Sequence, residues 1–77
     1  MSLFQSATAV RAIIDDLLRT YSWPGGGGIS SIKEVSSGSY VVELPQEERI
    51  DTVTYEVFVD AACHAKIIHR VEGTITQ

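Results

Sequence analysis

The sequence predicts an α+β domain of two layers, with one N-terminal amphipathic helix packed on an antiparallel β-meander of three or four strands. Two observations predict it. Before the glycine run Gly25 to Gly28 apolar residues recur every three or four positions, and after it they recur on every second position. A third supports the order of the last two strands, whose apolar residues and charges can be matched across a turn.

The helix is predicted over about residues 3–22. Val10, Ile13, Ile14, Leu17, Leu18 and Tyr21 repeat with helical spacing and form one apolar stripe. Arg11, Asp15, Asp16 and Arg19 are assigned to the opposite, solvated side. Ser2 and Gln5 have the spacing of a capping box. Pro24 disfavours helix in the residue before it, and glycine costs about 1 kcal/mol inside a helix, so the segment 24–28 reads as a glycine-rich link.

The sheet is predicted over about residues 29–73. Ile29 to Val35 and Ser39 to Leu44 form a hairpin around Ser36, Ser37 and Gly38. The run from Pro45 to Arg49 is a polar connection. Thr52 to Asp60 is the clearest strand, with Val53, Tyr55, Val57 and Val59 on one face and Thr54, Glu56 and Phe58 on the other. Lys66 to Val71 closes the sheet, with Ile67, His69 and Val71 facing the helix. The predicted register sets Val59 opposite Ile67, Val57 opposite His69, Tyr55 opposite Val71, Phe58 opposite Ile68 and Glu56 opposite Arg70. The whole chain, 1–77, reads as one domain.

At 77 residues a chain buries only about 60–65% of the surface its unfolded state exposes, so association is an expected route to stability. The net charge of -4 repels phosphate backbones and acidic membranes, which argues against nucleic acid and membrane partners. No apolar run is long enough to span a bilayer. One cysteine, Cys63, makes no internal disulfide. As the sequence stands it reads as cytoplasmic, and as extracytoplasmic if an export signal has been removed.

Few residues suggest chemistry, and no cofactor is expected. The glycine run follows a helix instead of preceding one, where free N–H groups would attract a phosphate, so it reads as a linker. Cys63, His64 and His69, with Asp60, could be drawn as a metal site or a Cys–His nucleophile. However, adjacent residues of an extended segment point in opposite directions, and nothing nearby would lower the thiol pKa. His69 is expected among apolar residues facing the helix. Glu43, Glu47, Glu48, Asp51 and Glu56 fall on loops or the solvated face and read as a hydrated surface. Trp23 closes an open end of the core or serves as a recognition aromatic. The outer sheet face is more informative: Val41, Phe58 and Ile68 are expected to cluster there, and exposed apolar patches on small domains mark contact surfaces.

Tyr55-Glu56-Val57-Phe58-Val59-Asp60-Ala61, followed after a turn by Lys66-Ile67-Ile68, resembles the closing hairpin of PepSY-type domains. The preceding order of helix, Ile29 to Val35 and Tyr40 to Leu44 is similar to that family as well. The resemblance implies an extracytoplasmic module that binds or regulates, often associated with peptidases, and not an enzyme. Three readings follow from the sequence. The first is a non-enzymatic interaction module that forms a homo-oligomer, most simply a dimer, or binds a protein or peptide through the outer sheet face or an edge strand; Val41, Phe58, Ile68 and Trp23 are its candidate surface. The second is a PepSY-like regulatory module of a peptidase or envelope system. The third is a small metal protein or enzyme using Cys63, His64 and His69.

Overall fold

The structure, a computed structural model, describes residues 3–20 and 28–76. One helix, α1 (Leu3–Thr20), is followed by four strands: β1 (Ser31–Ser36), β2 (Ser39–Pro45), β3 (Arg49–Val59) and β4 (Ala65–Thr76). All neighbours pair antiparallel in the order β1-β2-β3-β4, so the sheet is a meander with β1 and β4 at its edges. The predicted α+β class and two layers are observed. The end of the predicted helix at residues 21 and 22, Trp23 and all of the predicted link except Gly28 lie outside the described residues. β1 starts two residues later than expected, β3 three residues earlier, and β4 runs to Thr76 instead of ending near Val71.

Alternation along β2 and β3 builds the core. Tyr40, Val42 and Leu44 of β2 and Val53, Tyr55 and Val57 of β3 are buried against Ala9, Ile13 and Leu17 of α1. The outward residues Thr54, Glu56 and Phe58 of β3 are half-buried or exposed, as the period of two requires. Between β1 and β2 the pairing of Ser36 with Ser39 leaves Ser37 and Gly38 to turn the chain. Gly38 has φ +79°, a conformation that side chains with a Cβ avoid, and a Cβ there would lie 3.1 Å from the Val57 carbonyl oxygen.

The helix is rotated from its predicted orientation. Ala9, Ile13 and Leu17 form the buried line, whereas Ile14 is at the margin and Leu18 is 69% exposed. Asp16, expected on the solvated side, faces the sheet with only 18% of its side chain exposed. The rotation lets the Asp16 carboxylate meet the hydroxyl of Tyr55, a polar group at the end of an otherwise buried side chain that would be costly to leave without a partner.

The last hairpin departs from its predicted register in two places. Val59 pairs with Ala65, not Ile67. The turn is tighter because the Asp60 side chain accepts hydrogen bonds from the N–H groups of both Ala62 and His64, with the Cys63 N–H bonded to the Asp60 carbonyl. Cys63 takes φ +60° to complete it. Farther along, Val57 pairs with Ile67 but Glu56 pairs with His69, so Ile68 is the extra residue of a β-bulge. Beyond the bulge the faces of β4 are exchanged relative to prediction. His69 and Val71 lie opposite Glu56 and Thr54 on the outer face, and Arg70 lies opposite Tyr55 on the helix side. The exchange delivers Arg70 to Asp16, an ion pair that regular alternation would have turned outward.

Candidate interaction surface

Where α1 crosses β3 and β4, four polar side chains converge. The Tyr55 hydroxyl donates to Asp16 Oδ2 at 2.7 Å, and Arg70 Nη1 donates to the same oxygen at 2.8 Å and to Thr20 Oγ1 at 2.9 Å. Burial pushes the Asp16 carboxyl up, but the hydrogen bonds from Tyr55 and Arg70 and the charges of Arg70 and Arg19 outweigh it and hold the group below its ordinary value. Burial, then the hydrogen bond to Asp16 and its charge, raises the Tyr55 phenol. At neutral pH the tyrosine therefore keeps its proton and the aspartate stays ionised. Together they fasten the helix to β3 and β4.

Beside this cluster Ala12, Asp15, Asp16 and Arg19 of α1 face Ala65 and Ile67 of β4 across an open groove of about 570 Å³. It carries charges of both signs and an apolar floor.

The residues proposed for metal or thiol chemistry are not brought together. Cys63 is exposed in the turn, where His64 Nδ1 lies 3.6 Å from Asp60 Oδ2, while His69 sits on the outer sheet face opposite Glu56. The Asp60 carboxyl is held low, first by the His64 backbone N–H and also by the Ala62 N–H, so its contacts serve the turn. Among the described residues, no group of three or more His, Cys, Asp or Glu side chains is placed to hold a metal ion.

The outer sheet face carries a large share of the exposed apolar surface, in an arrangement different from the one expected. Phe58 (57%), Ile68 (61%), Val71 (50%) and Ile75 (52%) are all strongly exposed. Phe58 pairs with Lys66, and the bulged Ile68 lies on the diagonal from it. Val41 pairs with Thr54, four residues along β3 from Phe58, or about 13 Å at ~3.3 Å per residue. It therefore stands apart from Phe58 and Ile68, in line instead with Val71 on the far side of Thr54. Trp23 lies outside the described residues. Val71 and Ile75 were not foreseen: Val71 had been assigned to the helix side, and Ile75 lay beyond the expected end of the strand. The alternation Val71, Gly73, Ile75 was the signal available for it.

Three of these four exposed residues, Ile68, Val71 and Ile75, belong to β4, the twelve-residue edge strand. The direction of its backbone groups is fixed by two hydrogen bonds. Val57 N–H donates to the Gly38 carbonyl on the β2 side, and Asp60 N–H donates to the His64 carbonyl on the β4 side. Alternation then turns the backbone groups of Thr54, Thr52 and Ile50 toward β4. Their partners Val71, Gly73 and Ile75 face β3, and the backbone groups of Arg70, Glu72 and Thr74 point along the open edge.

No family model, curated protein or solved structure matches the chain. Among the described residues no helix is long and apolar enough to cross a membrane.

Proposed function

We propose that this chain is a non-enzymatic interaction module that associates with a second copy of itself through β4 and the adjoining outer face of the sheet. The observation that carries the reading is the concentration of exposed apolar side chains, Ile68, Val71 and Ile75, on a single long edge strand. A strand of this length at an edge is a template for further pairing. A domain this small also gains stability by mass action when a partner binds only its folded form.

Sedimentation velocity over a concentration series tests the reading. The expected result is a reversible dimer whose share rises with concentration, with thermal stability rising alongside it. A monomer at every concentration would overturn the proposal.

A second reading, a PepSY-like binding or regulatory module, is supported by the order of helix and meander and by the segment Tyr55 to Ala61 leading through a turn to Lys66. It differs in its partner, a peptidase or envelope protein. Titration with such a partner that leaves the self-association constant unchanged would separate the two.

A further inference from the structure

We infer that two copies join edge to edge through β4, antiparallel about a two-fold axis at Val71, into one continuous eight-stranded sheet with both helices on the same face. This inference rests on the self-association proposed above and specifies its geometry.

The register follows from the direction of the backbone groups and the order of the charges. Only residues whose backbone groups point along the edge, among them Arg70, Glu72 and Thr74, can form the hydrogen-bonded pairs of a new antiparallel ladder. A two-fold pairing must therefore be centred on a residue of the segment itself. Centring on Arg70 sets it against its own copy, and centring on Glu72 does the same for the acid; like charges directly opposed are destabilising. Centring on Gly73 sets Arg70 and Glu72 opposite threonines. Centring on Val71 alone places Arg70 of each copy opposite Glu72 of the other, twice over, with the two Val71 side chains meeting on the outer face.

The strand also limits the ladder to this stretch. The bulge at Ile68 changes the parity of β4, so a ladder centred on Val71 runs cleanly only between His69 and Gly73. The other edge is a poorer site: β1 has six residues and its own irregularity between Glu34 and Ser36.

The helices agree with this axis. Arg70 is bonded to both Asp16 and Thr20, so an axis at Val71 passes beside the last turns of α1.

The test is a cysteine at the axis. Val71 would face its copy in a non-hydrogen-bonded pair, with Cα atoms about 4.5 Å apart, within disulfide reach. In the full chain with Cys63→Ser, Val71→Cys is expected to convert the dimer to a covalent one under mild oxidation, while Ile50→Cys on the same face stays uncrosslinked. As a second variant, Glu72→Arg with an unchanged circular dichroism spectrum is expected to weaken dimerisation about tenfold or more. Phe58→Glu, which lies away from the axis, is expected to leave the dimer intact. A dimer that Val71→Cys does not crosslink, or that Phe58→Glu dissolves, would overturn the edge register while leaving self-association standing. A chain that sediments only as a monomer would overturn both.

Discussion

β3 and β4 are paired over their whole common length, yet they obey different rules. β3 lies between two neighbours from Ile50 to Glu56, and its residues there alternate without a fault. β4 has one neighbour, and at Ile68 it inserts a residue that reverses its faces. A central strand held on both sides has no room to slip, because an extra residue would break two ladders. An edge strand loses only one local pairing, and here that loss is set against an ion pair and hydrogen bond that bring Arg70 onto Asp16 and Thr20. Regularity in this sheet therefore reports confinement, and irregularity reports a polar contact strong enough to shift an unconfined strand.

The largest expected effect separates the two strands directly. Val53 of β3 is 2% exposed and Val71 of β4 is 50% exposed. Val53→Ala is expected to destabilise the monomer by about 2–3 kcal/mol through lost burial and the cavity left behind, and Val71→Ala by under about 1 kcal/mol. Urea denaturation at concentrations low enough to keep the chain monomeric measures both. Equal losses would mean that β4 is as confined as β3.

The polar contact that stabilises the bulge is expected to be worth somewhat less. Asp16→Asn should cost about 1–3 kcal/mol at neutral pH, because Arg70 loses its counter-charge and Tyr55 its ionised acceptor. Since the folded carboxyl titrates below its ordinary value, the stability it contributes is present above the ordinary carboxylate range. It is lost as pH falls through the folded value. The gap between wild type and Asp16→Asn should therefore narrow below about pH 4. A gap that stays constant through acid would mean that the carboxylate is not held by Tyr55 and Arg70.

The smallest expected effect is the sharpest test of the comparison. Deleting Ile68 should leave Ile67 opposite Val57 and His69 opposite Glu56 in an unbroken ladder, with Arg70 still facing Asp16, and should change stability by no more than about 1 kcal/mol. If β4 alternated regularly, the same deletion would turn every later side chain to the wrong face and unfold the hairpin. Thermal melts of the two chains distinguish these outcomes.

Much of the fold was legible in the sequence because strong periods mark it. The helix, the order of the strands, and the inward set Val53, Tyr55, Val57 on β3 all follow from spacing alone. What was not legible depended on side chains reaching across the chain. The Asp60 carboxylate gathers the Ala62 and His64 amides and shortens the last turn. Asp16 reads as a solvated residue until Tyr55 is placed beneath it, and this contact turns the helix so that Leu18 is exposed and Ala9 buried. The bulge at Ile68, which turns Arg70 toward the same cluster, leaves no mark in the period of two. On the outer face, Phe58 and Ile68 are exposed. Val71 and Ile75 were missed because parity was carried unbroken through the bulge and the strand was ended too soon.

The most direct measurement of the association through β4 is amide hydrogen exchange at Arg70, whose N–H points along the open edge, compared with Val71, whose N–H faces Thr54 within the sheet. With association, exchange at Arg70 should slow as protein concentration rises through the dimerisation range, while protection at Val71 should persist when the chain is diluted to monomer. Rapid exchange at Arg70 at concentrations where the chain sediments as a dimer would contradict the account.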